Sequence, residues 1–119
     1  MTREDFEKVV AEVMDSLPGE FRDRIRNVAV LVEDYPPHQP PLQPGRAPQR
    51  ILLGLFHGIP MTQKSVFALP TGPDYVVLYK KNLEAVCHSE AQLREQIRRT
   101  VVHEFGHYFG MTEEQLKDV

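Results

Sequence analysis

A single cysteine, Cys87, in 119 residues leaves no second thiol for an internal disulfide and excludes a cysteine-rich metal site. Any metal this chain holds must sit on histidine and carboxylate side chains. Long apolar runs are also missing, and none approaches the roughly 18 residues that a membrane-spanning helix requires. The first residues, MTREDFEKVV, are acidic and amphipathic where a secretory leader would be basic and then apolar, which points to the cytoplasm. Positive charge is in deficit, with 14 Lys and Arg against 17 Asp and Glu. No basic cluster alternates with aromatics, so neither nucleic acid nor an anionic membrane is an expected partner. There is no internal repeat, which sets solenoids and propellers aside.

What remains is the make-up of an ordinary folded domain, 41% hydrophobic and 26% charged, at a length that buries one core and hence, as expected here, forms a single domain over residues 1–119. Thr2, followed three residues later by Asp5, resembles a capping box. Phe6, Val9, Val10, Val13, Met14 and Leu17 then recur at helical spacing until Pro18-Gly19 stops them. A further helical turn is expected between Gly19 and Arg26. NVAVLVED (Asn27 to Asp34) is a continuous valine-rich run and reads as a strand buried on both faces.

Residues 35–48 hold six of the ten prolines and can support neither a ladder nor a helix, so they form a semi-rigid connection. ILLGLF (Ile51 to Phe56), SVFAL (Ser65 to Leu69) and YVVLYK (Tyr75 to Lys80) read as strands, with Ser65 to Leu69 as a sheet edge hairpinned to the last. Ser89 with Gln92 opens a second long helix, along one side of which lie Leu93, Ile97, Val101, Phe105 and Tyr108. The order is helix, about four strands in a small mixed sheet, then helix, which defines an α+β domain.

The C-terminal helix carries TVVHEFGHYFGMTEEQL, Thr100 to Leu116. His103 and His107 are one helical turn apart and stack on the same face, so both imidazoles can converge on one point. On a helical wheel they lie about 200–240° from Val101, away from the core stripe. Glu104 flanks the same face, within reach of a water held there. H-E-x-x-H on a helix is the zincin motif, in which the histidines bind Zn²⁺ and the glutamate takes a proton from the attacking water.

A straight helix would carry Glu113 about 15 Å along the axis from His103. Gly110 permits the left-handed residue that ends a helix, so the chain can turn back toward the metal. This favours Glu113 as third ligand, with Glu114 and then His57 as alternatives; Thr112 and Gln115 could also cap a short helix that places acids in its first turn. Gly106, a costly residue inside a helix, suggests close packing against a strand. His38 and His88 read as solvated, and His57 as a strand-end residue. Cys87-His88 loosely resembles the cysteine ligand of peptide deformylases, whose accompanying glycine and glutamine motifs are absent.

H-E-x-x-H-x-x-G-x-x-E, His103 to Glu113, resembles the metzincin motif, although metzincins have histidine or occasionally aspartate at the third position. More closely, LPGEFRDRIRNVAVLVEDYP, LLGLFHGIP and HEFGHYFGMTEEQL resemble the short bacterial zincin-like metallopeptidases, the minimal zincins. That resemblance implies a zincin-like α+β domain with His103, His107 and the acid at 113 as zinc ligands and Glu104 as base. Two functions are compatible with such a site. One is a zinc hydrolase that cuts peptide bonds in an extended or unfolded polypeptide. The other is a zinc-stabilised domain that binds a peptide or protein without turnover. An intact Glu104 favours the first, since a purely structural site needs four closed ligands and no base.

Overall fold

The computed structural model describes residues 1–25, 28–39, 51–58, 74–112 and 114. Helix α1 (Arg3–Asp15) starts where the sequence places it, with the Thr2 hydroxyl accepting a hydrogen bond from the Asp5 N–H at 3.1 Å. Its inward stripe of Phe6, Val9, Val10 and Val13 is buried, and Leu17 continues the stripe beyond the helix end. A short α2 (Gly19–Arg24) follows directly after Pro18, which stands at its N-cap.

Among the described residues, three strands form one mixed sheet in the order β1-β3-β2, where β1 is Ala29–Glu33, β2 Gly54–His57 and β3 Tyr75–Tyr79. β1 runs parallel to β3, with Val30 opposite Val76 and Val32 opposite Leu78; β2 runs antiparallel, with Phe56 opposite Val76 and Gly54 opposite Leu78. The valine-rich run of β1 is not buried on both faces as its composition suggests. It is an outer strand among the described ones, and its side chains alternate: Val30 and Val32 face the core while Ala29, Leu31 and Glu33 are exposed, Leu31 at 44%. Full burial belongs to β3, which has a strand on each side and carries Val76 and Leu78 at 0% exposure. β2 begins at Gly54 rather than at Ile51, although the Leu53 carbonyl already accepts from the Tyr79 N–H at 2.9 Å. The expected strand at 65–69 and most of the proline-rich segment lie outside the described residues; residues 35–39 run through bends and turns.

β3 passes into a helix that the sequence pattern does not announce, α3 (Lys80–Ala85). Its Asn82 is fully buried, exchanges hydrogen bonds with the Gln39 amide at 2.8 and 2.9 Å, and donates to the Leu52 carbonyl at 2.8 Å. One side chain thus ties the entry to β2 and the segment after β1 to α3. The long helix α4 (Glu90–Tyr108) is capped by Ser89, whose hydroxyl accepts from the Gln92 N–H at 3.1 Å. It packs beside α1 and against β2, and Arg94 reaches Glu12 of α1 at 2.7 Å. No helix among the described residues is long and apolar enough to cross a membrane.

Lys80 is almost wholly buried, and its ammonium contacts Glu84 Oε1 at 2.6 Å, with the chain's terminal ammonium 3.5 Å from Oε2. Burial pushes the Glu84 carboxyl upward, but the hydrogen bond and charge of Lys80 and the terminal ammonium outweigh it and hold the group below its ordinary value of 4.5. A carboxyl lowered in the folded state contributes stability that is present above its unfolded pKa and is lost as pH falls through the folded one. Glu84→Gln should therefore cost on the order of 1–2 kcal/mol at neutral pH, and urea-unfolding midpoints should show that deficit shrinking toward zero as pH drops below about 4.

Candidate metal centre

The last two turns of α4 are held by aromatic packing. Phe105 is fully buried and meets the Phe21 ring edge-on at 6.2 Å between centroids, while Phe21 meets Phe109 in the same way at 5.8 Å. Such contacts add to the area they bury and fix the rotation of the helix about its axis. With Ile97, Val101 and Phe105 all at 0% exposure, the residues about half a turn away must face outward. His103 and His107 are exposed there, with ring centroids 5.4 Å apart and ring planes at 71°.

Glu104 lies on the flank between this face and the sheet. Its Oε2 accepts a hydrogen bond from the Phe56 N–H at 3.0 Å, linking the helix to β2. Next to it the Phe56 ring packs on Tyr108, centroids 4.6 Å apart. Gly54 makes this approach possible. A Cβ on that residue would lie 2.7 Å from Thr100 Cγ2 and 3.0 Å from the Val77 carbonyl oxygen, so any side chain would push β2 away from α4. A close strand contact of α4 falls on Gly54, in a stretch that reads in the sequence only as an apolar strand.

Gly106 also takes part in the helix end. It is buried, and its carbonyl accepts from the Met111 N–H at 2.8 Å while the Gly110 N–H donates to the His107 carbonyl at 3.1 Å. These two bonds, with Gly110 at φ +72°, form a Schellman turn, completed by Met111 packing on the core. The turn expected at Gly110 is therefore present. Glu113 lies outside the described residues, and Glu114 is exposed just beyond the turn.

His57 is placed away from this group. Strand side chains alternate between faces, and Phe56 takes the α4 face, so His57 takes the other and stacks on Tyr75 at 4.6 Å. Cys87 and His88 precede the start of α4, and from Ser89 to His103 the helix covers about 20 Å. Burial also pushes the Cys87 thiol upward, away from the thiolate form a metal takes. His38 and His88 are exposed, as expected. Among the described residues no group of three or more His, Cys, Asp or Glu side chains is assembled to hold a metal ion. The described part of the candidate centre is the pair His103 and His107, with Glu104 at their side.

An α+β domain with H-E-x-x-H on its last long helix, closed by a glycine turn, defines the zincin class of folds. The zincin-like metallopeptidase family matches residues 25–119, and the chain belongs to that family. In overall shape it is similar to a conserved hypothetical protein from Thermo thermophilus, with a TM-score of 0.58 and 21% identity over 92% of this chain and 94% of that one. That likeness extends to the fold alone. No curated protein matches the chain.

The strand–helix contact gives a direct check. Gly54→Ala should destabilise the protein by about 1–3 kcal/mol through overpacking. Adding Thr100→Ser removes the closest clashing methyl while keeping the hydroxyl bonded to the Gln96 carbonyl, and should recover part of the loss in a double-mutant cycle read by urea unfolding.

Proposed function

We propose that this protein is a zinc-dependent peptidase in which His103, His107 and Glu113 hold Zn²⁺ and Glu104 is the general base. The observation that carries this reading is the exposed imidazole pair, 5.4 Å between rings, with the Glu104 carboxylate anchored alongside by the Phe56 N–H. Two imidazoles and a carboxylate form the nitrogen and oxygen donor set that suits zinc, and three protein ligands leave a coordination position open. When bound, zinc lowers the pKa of its water and polarises a carbonyl.

The chain's own residues supply the rest. With Oε2 held on the β2 backbone, Glu104 has a fixed orientation, and its Oε1 is the oxygen that takes a proton from the attacking water. The same carboxyl then delivers that proton to the departing amine, as general acid–base catalysis requires of a single positioned group. Both imidazoles are open to solvent, which suits an extended or unfolded peptide as substrate better than a small molecule enclosed in a cavity.

Zinc-loaded protein is expected to carry about one Zn²⁺ per chain by mass spectrometry, and His103→Ala with His107→Ala should abolish it. In a chelator competition Glu113→Ala should weaken affinity at least about tenfold, and Glu114→Ala should have little effect. Gly110→Val should resemble Glu113→Ala, because a β-branched residue resists the positive φ of the turn. If Glu114→Ala is the damaging change, the turn delivers the next residue instead.

Catalysis is separated from metal binding by Glu104→Gln, which should retain zinc and fold but lose peptide hydrolysis by on the order of a hundredfold or more. New termini in a mixed peptide library, read by mass spectrometry, measure it. Cleavage that persists in Glu104→Gln would remove Glu104 as base. Fully zinc-loaded wild type that leaves every peptide intact would instead indicate a zinc-stabilised binding domain.

A further inference from the structure

A groove of about 360 Å³ runs along α4 from the proposed metal centre toward the helix N-terminus. Leu52 and Leu53 form one wall and α4 the other. His103 and Glu104 stand at one end, and Arg99 lines it about one turn earlier on the same helix face. The polar groups on the groove floor are already engaged with each other. The Thr100 hydroxyl donates to the Gln96 carbonyl at 2.8 Å, and the Gln96 amide reaches that hydroxyl at 3.5 Å. Arg99 is different. Its Nε contacts Glu95 at 3.2 Å in a pair whose side chains are 69% and 51% exposed. A pair so open to water is weak and readily exchanged, and the two Nη groups form a second donor face shaped for a carboxylate.

We propose that this groove is a substrate subsite selecting peptides that carry a carboxylate within about two residues of the bond to be cut, paired with Arg99 and flanked by an apolar side chain on Leu52 and Leu53. The inference rests on the peptidase reading and deepens it. Among the residues lining the groove, Arg99 is the cation that stands apart from the proposed metal ligands, so a carboxylate that is not itself bound to the metal pairs there. Arg99 and His103 are about 6 Å apart along the helix axis, a distance spanned by about two residues of extended peptide at 3.3–3.6 Å each. The carboxylate can be the α-carboxylate of a peptide's last residue or an Asp or Glu side chain, since both present the same two oxygens to a guanidinium.

The test uses short fluorescent peptides of one apolar sequence in three forms: free C-terminal acid, C-terminal amide, and amide with Asp in the penultimate position. Binding is read by fluorescence anisotropy on zinc-loaded Glu104→Gln protein, and turnover on wild type. At least one carboxylate form should bind about tenfold more tightly than the neutral amide, and which form does so identifies the source. In turnover the preference should appear in KM rather than kcat. Arg99→Gln should remove the difference, and Arg99→Glu should reverse it in favour of a Lys-containing amide; circular dichroism checks that both variants are folded. Equal affinity for all three forms, or a preference that survives Arg99→Gln, overturns the proposal. Cleavage without any carboxylate preference sinks the subsite and leaves the peptidase standing. An Arg99-dependent preference in a protein that cuts nothing supports the subsite as a binding groove and sinks the peptidase.

Discussion

The rotation of α4 about its own axis is the constraint on which the rest of this protein depends. A helix advances about 100° per residue, so a slip of one position would bury a histidine and expose Phe105. Ile97, Val101 and Phe105, all fully buried, and the edge-on contacts of Phe21 with Phe105 and Phe109 make that slip expensive. Truncating an aromatic such as Phe105 would cost about 3–5 kcal/mol, a large share of the stability of a domain this size. The same burial that stabilises the core therefore aims His103 and His107 at solvent. The proposed site follows from which side of one helix is wet.

Two backbone features shape the proposed site on that helix face. Gly54 lets β2 come close enough for the Phe56 N–H to hold Glu104, so the proposed base is oriented by the sheet and not only by its own helix. Gly110 then ends the helix in a left-handed residue, and the two Schellman bonds together with Met111 on the core lock the direction in which the chain leaves. Each glycine does what a side chain would resist. One permits a close approach and the other a positive φ, and the proposed centre lies between them.

The long helices are readable from the sequence because their signals are local. The Thr2 and Ser89 caps, the 3.6-residue spacing of Phe6 to Val13 and Leu93 to Phe105, and the left-handed glycine at 110 each depend on neighbours a few residues away. The sheet is less readable because a strand's burial depends on what lies beside it. NVAVLVED and YVVLYK have similar composition, yet among the described strands only the second is central; nothing within either run states strand order. α3 escapes a sequence reading because β3 enters it at Lys80 without a capping residue or turn. Gly54 gives no signal since its partner, Thr100, is 46 residues away, and the meaning of a close contact is absent from either stretch alone.

The central claim is that His103 and His107 together bind zinc on the wet face of α4. X-ray absorption at the zinc edge of metal-loaded protein tests it most directly. The account predicts a nitrogen and oxygen shell at about 2.0–2.1 Å with the outer-shell scattering of two imidazoles, reduced to one in His107→Ala. A sulfur shell near about 2.3 Å, or an imidazole signal untouched by that substitution, would contradict it.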